Sequence, residues 1–139
     1  MHRTALTLPR KFKILIVLAT LGITLALCQV VWSAPEEISV QTLMTRLESD
    51  QAPLLLDVRS AEEFAAGHIP GAINMPFREV PERLDELRAT STDIVVYCEI
   101  GVRAAIAELA LEQADFEQIL TLEGDIQAWR QAGLPLETD

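Results

Sequence analysis

Two short apolar runs constrain most of what this chain can fold into. Leu54-Leu55-Leu56-Asp57-Val58 is too brief for a helix and apolar at consecutive positions, the pattern of a strand buried on both faces, and Asp93-Ile94-Val95-Val96-Tyr97 is the most strand-like run in the sequence. Strands covered on both sides need helices around them, and helical patterns separate the runs. Val40, Leu43, Met44 and Leu47 share one helical face behind Ser39, a residue suited to an N-cap. SAEEFAAG forms a charged helical turn, and Gly67, Pro70 and Gly71 punctuate the chain ahead of a short strand expected at Ala72 to Met75. Leu84 and Leu87 fall together in the helical PERLDELRA, and Ala105, Ile106, Leu109 and Ala110 give an apolar stripe to a helix expected over residues 102–114. QILTLEG reads as a last strand and DIQAWRQAG as a last helix, in which Trp129 anchors the packing. This alternation predicts an α/β domain of three layers, a mostly parallel central sheet flanked by helices.

The second of these strands ends directly at Cys98, and a glycine-containing turn, Cys98-Glu99-Ile100-Gly101-Val102-Arg103, leads into the next helix. Open α/β sheets bind ligands at the carboxyl ends of their strands, so position marks Cys98 as a site. Three features there favour a thiolate: unpaired amides of a curled loop, the positive end of the following helix, and the guanidinium of Arg103. Gly101 allows the loop to fold back so that its amides converge on sulfur. Glu99 works in the other direction, because a carboxylate beside the nucleophile opposes its ionisation and repels anions unless the side chain points to solvent.

The first 34 residues stand apart. Arg3, Arg10, Lys11 and Lys13 precede residues 14–32, which carry no charge, and Ser33 and Ala34 follow. Basic, apolar and small segments in that order are those of a signal peptide. Nineteen uncharged residues are also enough to cross a hydrocarbon core of about 30 Å, so a retained anchor fits as well. Leu27 ahead of Cys28 is too large for a lipid-modification site. The basic end is expected to stay in the cytoplasm, with the remainder delivered to the periplasmic or extracytoplasmic side. The only membrane contact expected is through residues 14–32, if uncleaved.

The chain has 139 residues, a size suited to one domain, with 11 basic and 21 acidic residues. Setting aside the four basic residues of the leader leaves 7 against 21, a formal charge of −14. Such a field repels phosphate backbones and anionic membranes, which excludes nucleic acid as a partner. Outside the leader Cys98 is the only cysteine, so no internal disulfide can form there. A single thiol in an oxidising compartment is either buried and inert or reactive.

Three stretches together resemble a known family. LLLDVRSAEEFAAGHIPGAINMP, IVVYCEIGVRA and LEGDIQAWRQAGLPL stand in the order of the early signature, active-site loop and C-terminal signature of rhodanese domains, and cover nearly all of residues 38–136. With the leader, the chain is similar to the small periplasmic single-domain rhodaneses of the phage shock protein E type. The resemblance implies a rhodanese-like three-layer fold over residues 38–137 behind a signal peptide or anchor at 1–34. It also implies a thiosulfate sulfurtransferase, with Cys98 as catalytic nucleophile carrying a persulfide. Residues Glu99, Ile100, Gly101, Val102 and Arg103 would bind substrate, with Arg103 on donor oxyanions. The partners implied are a small sulfur-containing anion as donor and cyanide or a thiol as acceptor, with no cofactor and no metal. The loop is C-x4-R, whereas related cysteine phosphatases have C-x5-R and the wider cradle that phosphate needs.

Asp57 and Arg59 match the family's D-x-R, whose expected role is bracing the loop, with Glu62 and Glu63 as electrostatic partners for Arg59. His68 lies in a turn that is structural in this family. Asp125 replaces the second glycine of the family's G-G-x-x-A-W and is expected to cap the last helix. Glu99→Gln is expected to raise apparent affinity for thiosulfate. The alternative to an enzyme is a sulfur carrier or interaction module of the cell envelope; a thiol oxidoreductase would need a partner's cysteine.

Overall fold

A computed structural model describes residues 36–50, 52–89 and 93–139. The expected leader, with residues 14–32, lies outside the described residues; among those described, no helix is long and apolar enough to cross a membrane.

Five strands form one parallel sheet in the order β1-β5-β4-β2-β3: β1 Glu37–Ile38, β2 Leu54–Asp57, β3 Ile73–Asn74, β4 Ile94–Tyr97 and β5 Ile119–Leu122. β4 is central, in register with β2 (Leu54 to Ile94 through Asp57 to Tyr97) and with β5. All four of its residues are buried. The helices are α1 Val40–Leu47, α2 Ala61–Ala65, α3 Leu84–Arg88, α4 Val102–Gln113 and α5 Asp125–Gln131.

The strand period of two sorts the core into two clusters. Leu56, Ile94, Val96 and Cys98 face one side and pack with Leu87 of α3 and Ala104, Ala107 and Leu111 of α4. Leu55, Val95 and Tyr97 face the other and pack with Leu43 of α1 and Ile126 and Trp129 of α5. Consecutive apolar residues thus serve two layers at once, the reason the runs do not alternate. Trp129 is 1% exposed, and its Nε1–H donates to Pro135 O at 2.8 Å; truncating it to alanine would cost about 3–5 kcal/mol.

Local signals explain where the helices start. Ser39 Oγ accepts from Thr42 N at 3.2 Å, as expected. α2 opens on a reciprocal cap in which Ser60 Oγ accepts from Glu63 N at 3.3 Å and Glu63 Oε2 accepts from Ser60 N at 3.1 Å.

Three expectations need correction, and one strand was not expected. The strand placed at Ala72 to Met75 is only Ile73–Asn74, at the sheet edge. PERLDELRA is not one helix but a 3₁₀ turn at Val80–Glu82 followed by α3, broken at Arg83. Arg83 leaves the helical region there, with φ −119° and ψ 20°, and ties the two pieces together through Glu79 and Glu86. β1, Glu37–Ile38, is an addition: tertiary pairing with β5 makes a strand where the sequence carries no strand signal. The stripe Ala105-Ile106-Leu109 of α4 points outward, and the residues it buries are Ala104, Ala107, Glu108 and Leu111.

Candidate active site

Cys98 is the first residue beyond β4, fully buried, and its backbone is held from α5: Cys98 N donates to Asp125 Oδ1 at 2.7 Å, and Cys98 O accepts from Ile126 N at 3.2 Å. The chain then turns back on itself. Gly101 adopts φ 88° and donates its amide to Cys98 Sγ at 3.1 Å. A side chain there would be strained by the positive φ, and its Cβ would stand 3.2 Å from Asp125 Oδ2. Gly101 O in turn accepts from Ala105 N at 2.9 Å, in the first turn of α4. Ile100 and Val102 flank this glycine and face solvent.

Arg103 follows in α4. Its Nη1 and Nη2 donate to Glu63 Oε2 and Oε1 at 2.5 and 2.8 Å. The guanidinium is held above its ordinary pKa, first by the hydrogen bond to Glu63, against desolvation, with further contributions from the charge of Glu63 and from Cys98. Glu63 is lowered to about 2, chiefly by the same bond. A guanidinium has five N–H donors in a fixed fork. Two are spent on Glu63, so Arg103 is both a strut and a cation beside sulfur.

Asp57 and Arg59 form the inner brace. Arg59 Nη2 donates to Asp57 Oδ2 at 2.6 Å and to Gly67 O at 2.8 Å, Nε lies 3.0 Å from Oδ1, and Arg59 N donates to the same oxygen at 2.9 Å. Burial opposes the charge of Arg59, but the hydrogen bond and charge of Asp57, together with Tyr97 and Glu99, hold its pKa above the ordinary value. Its ion-pair partners are therefore Asp57 and, at 3.6 Å, Glu99; of the expected pair, Glu63 is bonded to Arg103 and meets Arg59 only through its charge. With 1% exposure, Arg59 supports the site from behind.

Glu99 neither points freely to solvent nor stands as a lone charge against the nucleophile. Its Oε1 accepts from Arg130 Nη1 at 2.7 Å while Oε2 faces Arg59. The carboxylate thus lies between two guanidiniums and ties the loop to α5. Asp125 does not cap α5 as expected. Gly124 occupies the cap position, and the Asp125 carboxylate crosses to the Cys98 amide. His68 stacks on Phe64 at 3.6 Å with Nδ1 against Phe64 O at 2.9 Å, a structural placement. Sequence reasoning missed three links, Asp125 to Cys98, Glu63 to Arg103 and Arg130 to Glu99. Each joins residues at least 27 positions apart, beyond any local pattern.

Fold and site together define a three-layer parallel α/β domain with a buried cysteine at the end of its central strand, inside a tight glycine-containing loop. The chain belongs to the rhodanese-like domain family, whose model matches residues 39–132. It is 37% identical over 100 residues to a sulfurtransferase of Allochromatium vinosum, covering 72% of this chain and 92% of that protein. It is 30% identical over 97 residues to a putative sulfur carrier protein of Bacillus subtilis, covering 70% of this chain and 52% of that one. Among solved structures, a rhodanese-related protein of Thermoplasma volcanium superposes with a TM-score of 0.67 at 31% identity, covering 75% of this chain and 99% of the other. The chain thus spans nearly the whole of the first and third of these proteins and about half of the second.

Proposed function

We propose that this protein is a sulfurtransferase that carries sulfane sulfur on Cys98. The observation that carries the reading is Cys98 Sγ at the end of β4 with the Gly101 amide donated to it, in a loop too short for a phosphate cradle. In the first half-reaction the Cys98 thiolate attacks the outer sulfur of a donor such as thiosulfate. The S–S bond breaks, sulfite leaves with the electron pair, and Cys98 becomes a persulfide. In the second, cyanide or a thiolate attacks the terminal sulfur and the Cys98 thiolate leaves, giving thiocyanate or a new persulfide. Loop amides stabilise the anion on sulfur. The N–H groups of Arg103 not spent on Glu63 bind donor oxyanions. Delivery beyond the cytoplasmic membrane by residues 14–32 belongs to the same proposal, and cell fractionation tests it.

Cys98→Ser should abolish thiocyanate formation from thiosulfate and cyanide. Retained turnover would remove Cys98 from the mechanism. The likeness to a putative sulfur carrier keeps a second reading open, a carrier that is loaded by another protein. Mass spectrometry separates the two: a sulfur adduct on Cys98 without turnover on thiosulfate favours the carrier.

A further inference from the structure

Six large hydrophobic side chains are exposed among the described residues, and four of them lie in one ten-residue stretch beside the nucleophile: Ile100 at 68%, Val102 at 63%, Ile106 at 48% and Leu109 at 53% exposure. Val102, Ile106 and Leu109 recur at i, i+4 and i+7, so they share one face of α4, and the exposed Ala105 lies beside them. The opposite face buries Ala104, Ala107 and Leu111. A helix apolar on both faces has the composition of one buried all round. Scattered exposed apolar residues are ordinary, whereas a contiguous apolar strip is characteristic of an interaction surface. This strip begins two residues from Cys98.

The charge around it selects the occupant. Glu112 is exposed one turn beyond Leu109, whereas Glu108 lies with the buried side of the helix. Burial first, and then the charges of the exposed Glu112 and Glu37, raise the pKa of Glu108, so two exposed carboxylates lie within electrostatic reach of this part of α4. At the loop end, Arg103 is paired with Glu63, and Arg59 and Arg130 with Glu99. The loop-end arginines are matched by carboxylates, so the acidic excess beside the strip is that of Glu112 and Glu37. A second copy would bring the same acidic excess onto itself, and an anionic membrane would be repelled by a domain of formal charge −14. A polypeptide with apolar anchors and basic flanks meets both the strip and these carboxylates.

We infer that the outward face of α4, with Ile100, is the docking surface for a protein or peptide whose acceptor cysteine is flanked by apolar and basic residues. The inference rests on sulfur leaving from Cys98 and names the class of acceptor: a macromolecular thiol that approaches along α4 and reaches the buried sulfur over the loop.

Three fluorescently labelled synthetic peptides with one central cysteine serve as probes: one flanked by leucine and lysine, one with serine in place of leucine, and one with glutamate in place of lysine. Each is titrated against the full chain by anisotropy and offered as acceptor after loading with thiosulfate. The leucine–lysine peptide should bind and turn over about tenfold better than either control, the scale of two buried leucine anchors losing part of their contact. Ile106→Glu with Leu109→Glu should erase that preference, while thiocyanate formation with cyanide stays within about twofold, because both residues are exposed and lie beyond the Cys98–Arg103 loop. The serine pair at the same positions, with an unchanged melting temperature, guards against a folding defect. Equal binding of all three peptides, or a preference that survives both variants, overturns the inference. So does a dimer in sedimentation that these substitutions dissolve, which would make a second copy the occupant. If the parent chain makes no thiocyanate, the sulfurtransferase reading fails by itself, and peptide binding still reports on the surface.

Discussion

At Asp125 the backbone is held at φ 54°, a region that aspartate tolerates better than most residues but still at some cost. Its buried carboxylate holds the amide of the nucleophile and the near side of Gly101. Removing that acceptor would leave the buried Cys98 N–H unsatisfied, a loss of about 1–3 kcal/mol. Asp125→Ala should therefore lower stability by about 2 kcal/mol, whereas Asp125→Asn, which keeps an acceptor oxygen and accepts the positive φ, should lose much less. Urea denaturation of the three chains checks the order, and equal losses would show that the hydrogen bond is not what matters. Glu99 gives a second case. Because its carboxylate sits between Arg130 and Arg59, Glu99→Gln releases positive charge at the loop rather than only removing a repulsive one. The apparent KM for thiosulfate should fall by about two- to threefold, a modest electrostatic effect near the surface. A raised KM in steady-state kinetics would mean that the ion pairs hold the loop in its working shape.

The start of α2 and the start of α4 are joined by the Glu63–Arg103 pair, and Glu63 also closes the capping box of α2. Its pKa, lowered from 4.5 to about 2, gives the pH dependence a definite sign. A depressed carboxylate contributes stability that is present above its unfolded value and is lost as pH falls through its folded value. The melting temperature of the parent chain should therefore fall more steeply between about pH 5 and pH 2 than that of Glu63→Gln, in which this link no longer titrates. Parallel curves from thermal scans would assign acid sensitivity to other carboxylates. Helix α4 shows how an element can mislead. Its apolar residues fall on two opposite faces, so periodicity does not single out the buried one, and packing of the small Ala104 and Ala107 against the sheet turned the larger Ile106 and Leu109 outward.

Over the whole molecule the excess of acid is a liability for an enzyme whose expected donor is an anion. At about 10 mM salt the field extends roughly 30 Å, and at about 150 mM it falls to roughly 8 Å. The apparent KM for thiosulfate should drop as salt rises across that range, while the KM for a neutral thiol acceptor such as dithiothreitol should stay level. A KM for thiosulfate that rises with salt would show that local cations at the loop, led by Arg103, dominate the field the donor meets.

The consecutive apolar residues of β2 and β4 pointed to strands covered on both faces, and their alternation with helical patterns to a parallel sheet, because a crossover helix returns the chain to the same end of the sheet. The position of Cys98 after β4, the need for Gly101 in a tight return, and the cap at Ser39 were equally local, each set by the backbone within a few residues. What only the tertiary structure decided was who partners whom. Arg59 paired with Glu99 as well as Asp57, Glu63 bonded across to Arg103, Asp125 left its own helix for the nucleophile's amide, and Glu37-Ile38 became a strand only because β5 offered an edge. Charges and hydrogen bonds act through space over a few ångströms, and the chain separation of these partners is erased only when the sheet brings its strand ends together.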